Sequence, residues 1–193
     1  MTLQLCLIAQ SATEATRTAA FPADDPLVTA TDTAEPVPNG LRRWSGAEVR
    51  TSPMLAARQT AARLGLQGVD DPSLADMRYG RWSGRTLAEV AEAEPSLLAA
   101  WMADPEFTGH GGESRQDLAH RVGQWLQNLY PITGRIVGIT HASVVRAILL
   151  HVLQAPAEAF WSLDIAPATM TDLRHDGRRW TVRSLGVPVE NFG

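Results

Sequence analysis

Two short apolar runs in this chain break off at small polar residues, and they limit its fold more than any other feature. Leu3 to Ile8 stops at Ala9-Gln10-Ser11. Arg135 to Thr140, RIVGIT, meets His141-Ala142-Ser143 and passes into the helical pattern VVRAILLHVL. Runs this short, apolar and ended by turn residues read as buried strands. Val49-Arg50-Thr51 is a third, shorter extended piece. Thr169 to Leu173 and Trp180 to Leu185, joined by HDGR, form a hairpin pattern around the turn pair Asp176-Gly177.

Helical patterns lie between the strands. Ser52-Pro53 reads as an N-cap with proline at the first helical position, opening MLAARQTAARL, which stops at Gly65. Asp71-Pro72 to Tyr79-Gly80 is turn-rich. Thr86 to Glu94 is a helix halted by Pro95, and Ser96 to Met102 is another. Glu113-Ser114 opens a longer one, with Leu118, Val122, Trp125, Leu126 and Leu129 on one face. Phe160 to Ile165 fits no single pattern. Residues 22–40 hold four prolines and little periodicity; a loop of that length in a compact domain is usually functional. The alternation predicts an α/β fold: a three-layer α/β/α sandwich with a mostly parallel central sheet and a C-terminal β-hairpin. At 193 residues, the expectation is a single domain spanning the whole chain.

Charge and composition narrow the function classes. The net charge is −4, and all 17 basic residues are arginines, scattered apart from Arg42-Arg43 and Arg178-Arg179. That is no nucleic-acid footprint, and without lysine there is neither a Schiff base nor a P-loop. Cys6, the only cysteine, lies inside the first apolar run and reads as a buried structural thiol. Most of the six tryptophans read as core or core-edge packing. Neither a signal peptide nor a membrane span is visible, so a soluble cytoplasmic protein is expected. No metal-ligand pattern appears: Asp24-Asp25 reads as solvated, and His110, His120, His151 and His175 as surface or helix-face residues. The expected partner is a small-molecule ligand, without a cofactor, nucleic acid or membrane. Oligomeric state is open, a homodimer included.

In open α/β sheets, ligands sit beyond the carboxyl ends of the strands. Here those ends present Gln10 and Thr140-His141. A histidine opening a helix lies near partly positive backbone N–H groups and suits an anion, or else merely caps the turn.

Four stretches then fall in a familiar order. SPMLAARQTA (Ser52 to Ala61), LADMRYGRWSG (Leu74 to Gly84), GGES (Gly111 to Ser114) and GITHASVVR (Gly138 to Arg146), with the closing FWSLDIAPATMTDLRHDGRRWTVRSL, resemble the histidine phosphatase superfamily, the phosphoglycerate mutase-like proteins. The resemblance covers nearly the whole chain. It implies an Arg-His-Gly motif at the end of the first strand, whose histidine takes the phosphoryl group. It further implies a second histidine that steadies that group, two arginines that hold its oxygens, and a carboxylic acid that protonates the leaving oxygen.

Carried over residue by residue, the resemblance meets losses at one place. Arg-His-Gly falls on Ala9-Gln10-Ser11, so the nucleophile position is Gln10 and the first phosphate arginine is Ala9. The second arginine, four residues after Ser52, falls on Ala56. Arg58 is two residues further on, about 200° round the helix, and should not replace it. Asp76 matches the acid; His141, Thr13, Glu113 and Ser114 match as well. A carboxamide has no nucleophilic nitrogen, and each lost charge-assisted hydrogen bond removes about 1.5–3 kcal/mol. The pocket reads as emptied of phosphoryl-transfer chemistry: a degenerate member lacking the nucleophilic histidine.

The expected site is His141 and Asp76 as acid and base, with Gln10, Ser11, Thr13, Arg78, Glu113 and Ser114 contacting the ligand. Tyr79 and Trp82 read either as an apolar wall or as packing, and Arg78 either as a cleft residue or as a solvated charge. Three functions stay open: a non-catalytic ligand-binding module; an enzyme of altered, non-phosphoryl chemistry (hydrolysis, elimination or isomerisation) through His141 and Asp76; and a residual phosphatase. The loop of residues 22–40 and the stretch from Trp101 to His110 are expected to cover the cleft.

Overall fold

A computed structural model describes residues 2–28 and 39–189 of the chain. Its centre is a six-stranded sheet of order β3-β2-β4-β1-β5-β6. The strands are β1 (Leu3–Ala9), β2 (Glu48–Thr51), β3 (Val69–Asp70), β4 (Gly134–Thr140), β5 (Thr169–His175) and β6 (Trp180–Pro188). β1, β4, β2 and β3 run parallel, while β5 and β6 pair antiparallel at one edge. This is the expected mixed α/β architecture, and the hairpin closes the sheet where Asp176-Gly177 predicts its turn.

Alternation along the strands builds two cores. Leu3, Leu5 and Leu7 join one cluster, while Cys6 and Ile8 join the other. Over the first cluster pack α5 (Arg115–Leu129) and α6 (Ala142–Leu153). Leu118, Val122, Trp125, Leu126 and Leu129 are all at most 3% exposed, so the predicted stripe is the buried face, at roughly 1.5–3 kcal/mol per large side chain. Over the second cluster packs α2 (Leu55–Arg63), through Ala57 and Ala61. Helices thus cover both faces, making three layers. The remaining helices, α1 (Glu14–Thr18), α3 (Leu87–Ala93) and α4 (Pro95–Ala103), are short. Thr86 caps α3 with Glu89 in a capping box, and Pro95 opens α4 immediately after α3 ends.

Several expectations change. α2 begins at Leu55, and Ser52 is not its cap: residue Met54 holds that position without a side-chain bond. α1 lies in the Ala- and Thr-rich stretch that shows no helical period; a Thr13–Thr16 capping box supports it. His110 and His175 are 1% and 5% exposed, not surface residues. His110 packs edge-on against Trp82 and accepts from Gly112 N at 2.8 Å, while His175 stacks on Tyr130. Of the long loop, residues 29–38 lie outside the described residues.

Two glycine-bearing loops cross at close range and carry the site's far wall. A Cβ on Gly112 would stand 2.0 Å from the Arg78 carbonyl oxygen, and one on Gly80 would stand 2.2 Å from that of His110. Glu113 N donates to Arg78 O at 2.7 Å, and Arg81 N to His110 O at 3.0 Å. This close approach explains why the Gly-x-Trp-x-Gly and Gly-Gly-Glu-Ser stretches need glycine where they meet.

Candidate functional site

Register brings three strand ends together. Ala9 pairs with Thr140, and Thr51 with Ile139. The residues that follow, Gln10, His141 and Ser52, therefore meet at the carboxyl edge of the sheet. Gln10 N donates to Thr140 O at 2.8 Å, and Ser52 N to Ile139 O at 2.8 Å. The Gln10 backbone is held on its other side by Ala168 N, at 3.1 Å.

The His141 ring is gripped from one side. Its Nε2 lies 2.7 Å from Ser52 Oγ, and both residues are buried. Its Nδ1 stands 3.6 Å from Asp76 Oδ2, too far for a hydrogen bond, and has no partner. Asp76 is itself fixed, because its Oδ1 accepts from Met77 N at 2.8 Å and from the Ser143 hydroxyl. Burial pushes the imidazole below its ordinary pKa, outweighing the upward pull of Asp76 and Asp24. The ring is neutral at pH 7.

The order Ser52–His141–Asp76 is that of a nucleophilic triad. Ser52 is 0% exposed, however, and does not line the cavity beside His141. Its hydroxyl orients the imidazole and is not placed to attack a ligand.

That cavity offers about 10 Å³ of room, enough for one water molecule. Gln10, Thr13, Ala56, Met54, Asp76 and His141 contribute to its wall, together with Asp24 and Asp25 from the loop after α1. Asp24 Oδ1 accepts from Leu55 N at 2.6 Å. The carboxylate thus caps α2, where the helix presents its partly positive end. Gln10 Oε1 is buried here without a partner. No arginine lines the cavity among the described residues. It shares Asp24, Met54 and Asp76 with a wider groove of about 660 Å³, on whose wall stand Arg78, Tyr79 and Gly112.

The family model of the histidine phosphatase superfamily (branch 1) matches residues 26–188. The chain belongs to this superfamily. The stretch matched begins after Ala9-Gln10-Ser11. Among curated relatives, Bifunctional protein Rv2228c of Mycobacterium tuberculosis is 31% identical over 146 residues, covering 70% of this chain and 40% of that protein. The chain therefore spans less than half the length of the mycobacterial relative. Phosphoserine phosphatase 1 of Hydrogenobacter thermophilus is 25% identical over 138 residues, covering 69% of this chain and 64% of that one. A mycobacterial glucosyl-3-phosphoglycerate phosphatase has a similar structure: TM-score 0.78 at 21% identity, covering 97% of this chain and 100% of the other. That likeness shows the fold alone.

Set against the superfamily's motifs, the expected site residues divide. Gln10, Thr13, Asp76 and His141 line one cavity. Ser11 stands beside it, its N–H donating to Thr60 Oγ1 at 2.9 Å. Arg78 is exposed on the groove. Glu113 and Ser114 reach neither cavity nor groove. Both Glu113 oxygens take Arg121, at 3.0 and 2.9 Å, and Ser114 caps α5 in a box with Asp117. Arg121 also ties the Ser73 and Ala75 carbonyls, bracing the segment that carries Asp76.

Ala56 lines the cavity as the carry-over places it, whereas Arg58 is exposed and ion-pairs with Asp70. Trp82 is fully buried among Phe21, Trp101, Phe107 and His110. It is packing, not wall, and Trp101, Phe107 and His110 of the 101–110 stretch join it in that cluster. Tyr79 does face the groove, and burial pushes its phenol pKa up. Sequence reasoning missed Ser52, Ser143, Asp24 and Asp25. Only the register points to Ser52; Ser143 and the aspartates reach the site by tertiary folding.

Proposed function

We propose that this chain binds a small molecule at the carboxyl edge of its sheet and transfers no phosphoryl group. One observation carries the reading. Where the superfamily resemblance implies a nucleophilic histidine between two arginines, the cavity wall holds the Gln10 carboxamide, and Ala9 and Ala56 stand at the arginine positions. An amide nitrogen is delocalised into its carbonyl and does not attack phosphorus. A phosphate dianion brought there would meet carboxylates in place of guanidinium groups. The ligand on this reading is a small molecule and not a nucleic acid, in keeping with the net charge of −4. No helix among the described residues is long and apolar enough to cross a membrane.

A second reading has an observation of its own. His141 lines the cavity, is nearly inaccessible to bulk water, has its pKa pushed down by burial, and its Nδ1, 3.6 Å from Asp76 Oδ2, has no hydrogen-bond partner. An imidazole of this kind is equipped to accept a proton, so a bound ligand with an acidic proton would meet a general base. This is the altered-chemistry enzyme, using His141 and Asp76.

The test is a phosphate-release screen over phosphorylated metabolites, phosphoserine and glucosyl phosphoglycerate among them, with His141→Ala as control. The expected result is no release above the control for any ester. Turnover that His141→Ala abolishes would overturn the reading and leave a residual phosphatase.

A further inference from the structure

Arg146 closes the GITHASVVR stretch, and the cavity beside His141 does not include it. It lies on α6 and is half-buried. Its Nε donates to the Leu163 carbonyl at 2.7 Å, and its guanidinium carbon stands 5.6 Å from the centre of the Phe160 ring. Neither terminal nitrogen has a hydrogen-bond or ion-pair partner among the described residues, and neither is sealed from solvent. The guanidinium is thus anchored at one edge and keeps two donor groups to spare. Arg146 lines a pocket of about 440 Å³, within the range of small-molecule sites.

Most of the remaining wall is apolar. Phe21, Tyr79, Trp101, Phe160 and Trp161 all contribute to it. Trp161 is 40% exposed, yet it is firmly held. Its indole N–H donates to Met102 O at 3.1 Å, Trp101 meets it edge-on with 4.8 Å between ring centres, and the Arg115 guanidinium stands over it at 4.9 Å. A large ring so fixed and still open to water is a preformed contact surface for an apolar body. The pocket shares only Pro22 with the cavity beside His141, and Pro22, Met77 and Tyr79 with the groove.

We propose that this pocket binds a small apolar carboxylate, its body against the aromatic walls and its carboxylate paired with Arg146. Charge selects the class. Arg146 is the one charged side chain lining the pocket among the described residues. Aromatic faces alone attract a cation, but Arg146 repels one. A dianion would leave one charge unmatched against apolar walls. A planar monoanion fits the fork of two N–H groups. Because Arg146 is half-buried, the pair keeps one side in water and avoids the full desolvation penalty of a buried ion pair. The assignment goes beyond the reading of the sheet edge and does not depend on the chemistry at position 10.

Calorimetric titration at fixed ionic strength tests this with naphthylacetate, its neutral counterpart naphthylacetamide, naphthylethylammonium and plain acetate. Naphthylacetate is expected to saturate with a Kd below about 1 mM. It should bind at least about tenfold more tightly than the amide or the ammonium, while acetate, lacking the apolar body, shows no binding up to about 10 mM. Arg146→Gln should bring the acid down to the affinity of the amide and leave the amide within about twofold of its native value. Equal affinity for acid and amide would overturn the proposal, as would tighter binding of the ammonium or no binding of the acid at about 10 mM. A preference for the acid that survives Arg146→Gln would overturn it too. So would a preference lost in Arg78→Gln and kept in Arg146→Gln, which would place the anion in the groove. The comparison among probes is made on the native chain and does not depend on how any variant folds.

Discussion

At the scale of single residues, the proposed function turns on position 10 and His141. A histidine restored at position 10 alone meets a cavity with no guanidinium in it. We expect Gln10→His with Ala9→Arg and Ala56→Arg to remain without phosphatase activity while Asp24 caps α2 and Asp25 lines the cavity. Adding Asp24→Gly and Asp25→Gly should be needed before vanadate binds, as read by inhibition or calorimetry. Activity in the triple variant alone would show that the aspartates do not block the site. His141 makes a second test. Its pKa is depressed by burial, so the folded state favours the neutral ring. Its contribution to stability is complete above the unfolded value of about 6.5 and is lost as pH falls through the depressed folded value. Histidine NMR should place its midpoint below 6.5, and His141→Asn should flatten the stability profile in that window.

At the scale of elements, most helices and strands were legible because each carries its own local instruction. The α5 face repeats every three to four residues and ends up buried as read. The Thr86 and Ser114 caps stand where Ser/Thr precedes a helical pattern. Ser114→Ala should cost about 1 kcal/mol in urea unfolding, because Ser114 caps α5. Ser52 misled for a physical reason. Ser-Pro ahead of a helix has the composition of a cap, but the Thr51–Ile139 pairing carries Ser52 to His141, and α2 takes its cap from Asp24, 31 residues away. Such a cap leaves no local trace. Asp24→Ala should destabilise α2 on the scale of a lost N-cap, about 0.5–2 kcal/mol, and raise amide exchange at Leu55.

At the scale of the whole molecule, sheet order follows from where the strands end more than from what they contain. β1 and β4 are far apart in sequence, and the apolar runs do not say which strand lies between which. That order comes from tertiary pairing, which brings Asp76 and His141 to one edge. The cluster of Phe21, Trp82, Trp101, Phe107 and His110 holds the Gly-x-Trp-x-Gly loop against α4. Trp82 donates its indole N–H to Glu94, which also binds Arg81 and Arg85; the two guanidinium groups pull the Glu94 carboxyl down to about 2. Trp82→Ala should therefore cost about 3–5 kcal/mol, enough to leave the chain partly unfolded at 37 °C by circular dichroism.

The central claim is that the sheet edge no longer accepts a phosphoryl group. Vanadium NMR of orthovanadate titrated with the native chain addresses it directly, because the ion reports on the pocket without need of a substrate. The account predicts no saturable line broadening up to about 10 mM. Saturable binding below about 1 mM that His141→Ala removes would contradict it.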